Sequence, residues 1–156
     1  MHEVEFIIRP ARESDQAILR QIINKARLNP LGMSWQAFDI VEGARGQVLG
    51  CGQIKHHREG SKELASLYIA PEFRGQGIAA ALIRQLQSKA RSDLWLTCRS
   101  DLIPFYERFE FTEVTDPTQM PRYFRRVWQL FRLFKRLVGG GEHLAVMHWG
   151  EKAMNE

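Results

Sequence analysis

Residues 67–86 of this chain read LYIAPEFRGQGIAAALIRQL. An apolar, strand-like run breaks at Pro71, two glycines follow at positions 75 and 77, and an alanine-rich helical pattern continues from there. Glycine is costly where a helix begins, because it loses more backbone entropy than alanine on folding. A helix start also presents unpaired N–H groups and the positive end of the helix dipole, and a missing side chain lets an anion approach them. The stretch therefore indicates an anion-binding loop between a strand and a helix.

The length and composition are those of an ordinary globular chain. A total of 156 residues suffices for one well-buried core and is too short for two ordinary domains, so a single domain over residues 1–156 is predicted. No apolar run approaches the roughly 20 residues that cross a bilayer. The first ten residues, MHEVEFIIRP, lack the basic and apolar segments of a secretory signal. We therefore expect the chain in the cytoplasm, or in an organelle if a transit peptide has been removed.

The net charge and the cysteine content limit which kinds of binding site the chain is expected to hold. The net charge of +4 is a modest bias toward anionic partners and gives no clear nucleic-acid or membrane signal. The two cysteines, Cys51 and Cys98, form no C-x-x-C pair, which argues against a zinc site or a disulfide framework. We expect both to be small core residues and no metal to be bound.

The pattern of apolar residues predicts an α/β protein with a mixed sheet of about seven strands and four or five helices. Strands are predicted in VEFIIRPA, in the two halves of DIVEGARGQVLGCGQIKHH, in SKELASLYIAPE, in LWLTCRS, in FTEVTD and in EHLAVMHW. The first helix is predicted in ESDQAILRQIINKARLNP, with Ser14 or Asp15 as its cap and Pro30 as its terminator. Further helices are predicted from about Gly75 to Arg91 and in LIPFYERF. The last is predicted from Pro121 to Val138, and the glycines at 139–141 are expected to end it. The segment LGMSWQAF is ambiguous.

Two motifs at this spacing resemble a known family. Arg74-Gly75-Gln76-Gly77-Ile78-Ala79 follows a strand and opens a helix, and FYERFEF follows at Phe105 to Phe111. The chain is similar to the GNAT N-acetyltransferases, whose acyl-CoA motif is Arg or Gln, two residues, Gly, one residue, and Gly or Ala. Their second motif, F-Y-x-x-x-G-F, is matched except at Glu110. The resemblance covers residues 4–149 and is strongest over 61–114, whereas a dinucleotide-binding turn would need a third glycine.

The resemblance implies that acetyl-CoA is the co-substrate and that residues 67–79 bind it. The pantetheine arm would pair with the backbone of Leu67, Tyr68 and Ile69 as though it were an extra strand, with the thioester oxygen facing the Ile69 amide. The pyrophosphate would lie on the N–H groups that follow Arg74. The cofactor-binding residues implied are Leu67, Tyr68, Ile69, Arg74, Gly75, Gln76, Gly77, Ile78 and Ala79.

The resemblance also implies direct attack by a primary amine, without a covalent intermediate. Tyr106 occupies the general-acid position, and its alternative is an aromatic residue that packs under the sheet. Glu63 matches the position of a general base in some members, while others use water or a different base. His56 and His57 are further candidates, and we expect both to be exposed. The amine could belong to a protein N-terminus, a lysine or a small metabolite.

The basic segment from Arg122 to Val138 leaves several interpretations open. Apolar residues at 124, 127, 128, 131, 134 and 138 predict a core-facing stripe, with a solvated basic face opposite. The alternatives are a docking face for an acidic partner, an anionic membrane or RNA. Tyr123 or Trp128 is expected to line the acceptor pocket. A GNAT-fold module that binds acyl-CoA without turnover and acts through this helix, and a homodimer, are both compatible with the sequence.

Overall fold

The computed structural model describes residues 3–138 and 141–150. The described residues form seven strands and four helices, which confirms the predicted α/β class. In chain order these are β1 (Phe6–Pro10), α1 (Gln16–Lys25), β2 (Phe38–Gly43), β3 (Val48–His56), β4 (Lys62–Ile69), α2 (Ile78–Ala90), β5 (Leu94–Arg99), α3 (Ile103–Glu107), β6 (Thr112–Val114), α4 (Arg122–Val138) and β7 (Leu144–Trp149). The glycine run expected to end α4 begins at 139, and residues 139 and 140 lie outside the description.

The seven strands form a sheet in the order β1-β2-β3-β4-β5-β7-β6. β1 with β2 and β2 with β3 are antiparallel pairs, as are β5 with β7 and β6 with β7. β4 and β5 are parallel, with Lys62 opposite Leu94 and Glu63 opposite Trp95. The sheet is therefore mixed, as the alternation of strand and helix patterns predicts.

The chain divides into two compact units, Met1–Lys55 with Leu64–Lys89 and His56–Glu63 with Ala90–Glu156. The prediction of a single domain stays a prediction. In the first unit, α1 buries Leu19, Ile22 and Ile23 against Phe38 and Cys51, because residues three and four apart share one face of a helix. This unit also holds the loop that the sequence predicts as an anion site.

The ends of α1 show where local backbone geometry overrides the apolar pattern. Asp15 stands at the N-cap, and its carboxylate accepts the N–H of Arg12 at 2.7 Å and the guanidinium of Arg9 at 2.7 and 3.0 Å. The helix ends at Lys25, before the predicted terminator Pro30, because Arg27 takes a left-handed φ of 54°. The ambiguous LGMSWQAF segment contains a short 3-10 turn over Trp35–Ala37.

The second unit is built around β7 and the first turns of α4. Phe124 is fully buried in a cluster with Met120 and Val146. The predicted core-facing stripe of α4 is wrong for its C-terminal half, where Phe131 is 51% and Phe134 is 62% exposed. Among the residues described, no helix combines the length and the apolar composition that crossing a bilayer requires.

Candidate active site

The glycine loop after β4 adopts a conformation that favours glycine at two positions. β4 ends at Ile69, a 3-10 turn covers Pro71–Phe73, and α2 begins at Ile78. Gly75 and Gly77 have φ of 78° and 81°, which side chains with a Cβ rarely adopt. A Cβ built on either glycine would meet nothing within 4 Å. The two glycines are therefore needed for the backbone conformation, and the space beside them is open.

Backbone and side-chain bonds hold this loop to the end of β4. Arg74 Nε donates to the carbonyl oxygen of Ile69 at 2.9 Å, so the guanidinium braces the loop. The N–H of Ala81 donates to the carbonyl of Gly77 at 3.1 Å as α2 begins. The side chain of Ile78 is 1% exposed, so only its N–H is suited to an anion. As predicted for α2, Ile78, Leu82, Ile83 and Leu86 form its buried face.

Two residues that the sequence analysis did not single out position β4. A Cβ on Gly50 would lie 2.5 Å from the carbonyl oxygen of Tyr68 and 2.7 Å from Cδ1 of Ile69, so only glycine lets β3 lie this close. Ser66 has a φ of 54° inside β4, and its Oγ accepts the side-chain N–H of Gln53 at 2.8 Å. The glycines that interrupt the apolar pattern of β3 could have indicated a close approach at Gly50, whereas nothing in the sequence marks Ser66 or Gln53. Leu67 and Tyr68 are half-buried.

Tyr106 lies buried among aromatic side chains at the second motif. The residue is 9% exposed, and its ring packs edge-to-face with Phe105 and Phe111 at centroid distances of 5.0 and 6.0 Å. Burial, assisted by the nearby Cys98, raises the pKa of Tyr106 to about 12. The phenol is therefore protonated at neutral pH, in the form that a general acid requires.

The turn after α3 keeps its glycine-like conformation with glutamate in place of glycine. Glu110 has a φ of 68°, and its N–H donates to the carbonyl of Glu107 at 3.0 Å. The N–H of Phe111 reaches the carbonyl of Tyr106 at 3.4 Å. These bonds are those of a helix end closed by a left-handed residue. The departure from the family motif is therefore accommodated as local strain, and the turn itself is retained.

Glu63 is buried and contacts His57, although the sequence predicts that both His56 and His57 are exposed. Glu63 is 6% exposed, and its Oε1 lies 3.4 Å from Nε2 of His57. The His57 ring stacks on Tyr123 with centroids 3.8 Å apart, and Phe124 packs edge-on at 5.7 Å. The prediction that both histidines are exposed holds for His56. It is wrong for His57, whose side chain is 15% exposed, because α4 contributes the ring that covers it.

The contacts of the predicted residues define three groups. Residues 67–69 and 74–79 form one continuous segment of the first unit. Glu63 forms a cluster with His57 and Tyr123, while Tyr106 packs with its own aromatic neighbours. Trp128 lines a groove near the end of α4. Over residues 3–138 and 141–150, no three His, Cys, Asp or Glu side chains are grouped as metal ligands would be.

Comparison with known proteins identifies the class. The sequence profile described as "Acetyltransferase (GNAT) family" matches residues 4–111. The chain belongs to this family, as the two motifs indicated. No curated protein sequence matches the chain.

Solved structures share the fold at low sequence identity. N-acetylglutamate synthase from Neisseria gonorrhoeae, complexed with coenzyme A and N-acetyl-glutamate, is 20% identical over 96% of this chain and 36% of its own, with a TM-score of 0.68. Rv2747 from Mycobacterium tuberculosis in complex with CoA is 20% identical over 90% of this chain and 97% of its own, with a TM-score of 0.66. Ard1 from Thermoplasma volcanium is 15% identical over 94% of this chain and 99% of its own, with a TM-score of 0.62. This chain thus spans about a third of the synthase, 36% in one structure and 32% in another.

Proposed function

We propose that the protein transfers the acetyl group of acetyl-CoA to a primary amine by direct attack in a ternary complex. The observation that carries the proposal is the loop after β4, where Gly75 and Gly77 hold left-handed backbone conformations with open space beside them. The hydrogen bonds of α2 begin with the N–H of Ala81 on the carbonyl of Gly77, so the helix supplies no partner for the N–H groups of residues 77–80. A pyrophosphate on these groups would gain charge-assisted hydrogen bonds and the favourable end of the helix dipole.

The strand before the loop supports the same proposal. β4 runs to Ile69, whereas its pairing with β5 involves Lys62 and Glu63. We propose that the backbone of Leu67, Tyr68 and Ile69 binds the pantetheine arm as an added strand, with the Ile69 N–H on the thioester oxygen. Gly50, which lacks a Cβ, allows β3 to lie close to this part of β4. Arg74 supports the site through the hydrogen bond from its Nε to the Ile69 carbonyl.

Starting from an ammonium, the nitrogen gives up two protons, one before it attacks and one as the amide forms, and the sulfur takes up one, so one proton is released overall. The amine nitrogen attacks the thioester carbonyl, a C–N bond forms, and the C–S bond breaks with its electron pair going to sulfur. Tyr106, protonated because burial raises its pKa to about 12, gives its proton to the departing sulfur. Glu63 and His57, whose Oε1 and Nε2 lie 3.4 Å apart, form the candidate general base. It takes the first proton from the ammonium and passes it to solvent, and it takes the second as the amide forms. Tyr123 fixes the imidazole by stacking on it.

The acceptor is proposed only as a class. A protein N-terminus, a lysine and a small metabolite all offer a primary amine. The synthase structure contains N-acetyl-glutamate, but at 20% identity that likeness shows the fold alone. A screen of peptide, amino-acid and polyamine acceptors, with acetylated product and free CoA both measured, identifies the acceptor.

A second candidate function is supported by α4. Its exposed apolar and basic residues suit a GNAT-fold module that binds acyl-CoA and acts through this helix without turnover. Acceptor-dependent release of CoA separates the two functions. Release supports the enzyme, whereas acetyl-CoA binding with no release across the screen supports the module.

Calorimetric titration with acetyl-CoA tests the loop, with a matched pair of variants. Gly77→Val introduces a Cβ into the proposed phosphate site, and we expect affinity to fall at least tenfold because the phosphates no longer reach the N–H groups. Gly46 has a similar φ, 77°, and equally open surroundings, but lies in the β2–β3 turn. Gly46→Val therefore carries the same backbone strain and should bind normally. Unchanged affinity in folded Gly77→Val would remove the central claim.

A further inference from the structure

The C-terminal half of α4 leaves large apolar side chains in solvent. Leu130, Phe131, Leu133 and Phe134 are 66, 51, 61 and 62% exposed. The first turns of the same helix differ, since Phe124 is fully buried. Contiguous exposed apolar side chains at this density mark an interaction site rather than an ordinary surface.

The same helix concentrates positive charge. It carries six of the chain's 22 basic residues and none of the 18 acidic ones, so the remainder of the chain has a slight acidic excess. Positions three and four apart share a helix face, which places Leu130 with Leu133 and Phe134, and Arg132 with Lys135. The exposed half of α4 is therefore apolar on one side and cationic on another.

A groove continues the apolar surface. Its volume is about 460 Å³, and it is lined by Trp128, Phe131, Arg132, Phe134, Lys135, Glu142, His143 and Leu144. The Arg132 guanidinium carbon lies 5.0 Å from the centre of the Trp128 ring. A groove lined by both aromatic and long cationic side chains matches the amphipathic boundary between lipid headgroups and acyl chains.

We propose that α4 docks in the plane of an anionic lipid bilayer. Leu130, Leu133 and Phe134 enter the headgroup–acyl boundary, with Phe131 at the groove. Arg132 and Lys135 lie on the phosphate groups. The helix rests on the surface and does not cross it. This inference is independent of acetyl transfer, because it uses no residue of the glycine loop or of the catalytic groups.

Other occupants match only part of the surface. A second copy would bring two helices with six basic residues each against one another, which like-charge repulsion opposes. RNA would neutralise the cations but leave the leucine and phenylalanine side chains in water. An anionic bilayer accommodates both, since apolar burial and headgroup attraction act together.

Vesicle co-sedimentation of the full chain tests the proposal. We expect binding to phosphatidylcholine vesicles that contain phosphatidylglycerol, weakened by added salt, and little binding to phosphatidylcholine alone. The double variant Leu133→Ser/Phe134→Ser should lose binding at least about tenfold, from lost apolar burial. Arg132→Glu/Lys135→Glu should lose it to a similar extent. All four side chains are away from the buried core, so circular dichroism should show an unchanged fold.

Matched controls place equivalent changes elsewhere. Ile7→Ser/Leu31→Ser removes apolar side chains that are 59 and 76% exposed, and Arg20→Glu/Lys25→Glu reverses two exposed cations on α1. Both should bind anionic vesicles like the parent. Binding to neither vesicle, or undiminished binding by Leu133→Ser/Phe134→Ser, would overturn the proposal. So would retention on RNA or on an acidic polypeptide without vesicle binding, or a solution dimer that the apolar variant dissociates.

Discussion

At the scale of single residues, burial determines what Tyr106 can do. The residue is 9% exposed, and burial raises its pKa to about 12. A phenol with that pKa keeps its proton throughout pH 7–10, so it can act as an acid and not as a base. In a reaction at neutral pH, Tyr106 can therefore serve only as a proton donor.

Replacing Tyr106 with phenylalanine separates its two roles. Tyr106→Phe removes the hydroxyl but keeps the ring that packs on Phe105 and Phe111. We expect turnover to fall about 10²-fold, because general acid catalysis contributes on this order, with acetyl-CoA affinity unchanged. Steady-state rates and calorimetric titration measure the two quantities. Equal rates for parent and variant from pH 7 to pH 10 would leave Tyr106 as a packing residue.

Glu63 is the candidate base that the family resemblance implies, and in the structure it contacts His57. An ammonium with a pKa of about 10.4 is mostly protonated at neutral pH, so a nearby base raises the reactive fraction of the amine. Glu63→Gln should therefore lower the rate more at pH 7 than at pH 9, where the neutral fraction of the amine in water is about a hundredfold larger. The comparison of kcat/KM at the two pH values measures this difference.

His57→Phe is the matched variant for this cluster. It removes the imidazole while a ring remains to stack on Tyr123. The same pH-dependent loss in His57→Phe would assign the imidazole to the proton path. An equal fractional loss at both pH values in Glu63→Gln, with acetyl-CoA affinity intact, would contradict a role for Glu63 as base.

At the scale of elements, the backbone of the turn between α3 and β6 is strained at one residue, Glu110. The φ of 68° at Glu110 costs about 1–2 kcal/mol for a residue with a Cβ. Glycine relieves that strain but adds about 0.5–1 kcal/mol of unfolded-state entropy. Glu110→Gly should therefore leave the free energy of unfolding unchanged or raise it by up to about 1.5 kcal/mol.

The control for this prediction is Glu107→Gly. Glu107 is exposed and ends α3, so the same exchange gains no relief of strain and should lower stability by about 0.5–1 kcal/mol. Urea unfolding of the three proteins measures the differences. A loss of stability in Glu110→Gly as large as that in Glu107→Gly would show that the turn stores no strain.

Elements also show how far the sequence specifies this structure. The face of α2 was predictable, because Ile78, Leu82 and Ile83 repeat at helical spacing and all are buried. α4 has an equally clear repeat, yet Phe124 is buried and Phe131 is 51% exposed. Periodicity identifies an apolar face but carries no information about whether another element covers it.

The candidate site was likewise predictable from the sequence only in part. The glycine loop was predictable, because glycine at 75 and 77 has a local physical reason. Tyr106 and Glu63 were located by resemblance alone. The positive φ of Ser66 and the burial of His57 were not predictable, since serine does not mark that conformation and the ring covering His57 comes from Tyr123, far along the chain.

At the scale of the whole molecule, the division into two compact units raises the question of whether the chain unfolds as one domain or as two, which calorimetry measures. We expect a single calorimetric transition for the full chain, as the length predicts. Acetyl-CoA at about 100 times its dissociation constant adds about 2.7 kcal/mol of stability, which corresponds to a rise of about 5 °C or more in a chain of this size. Two transitions, of which acetyl-CoA moves one, would contradict the single domain.

The burial of both cysteines also decides how turnover can be followed. Cys51 and Cys98 are 0 and 7% exposed, and burial raises their pKa values to about 12 and about 11. Disulfide dyes react with thiolates, and at pH 8 such groups are almost entirely protonated. A colorimetric thiol reagent present throughout the reaction should therefore report the CoA set free and leave the folded chain unlabelled. Continuous assays can use the native sequence, without a cysteine-free variant.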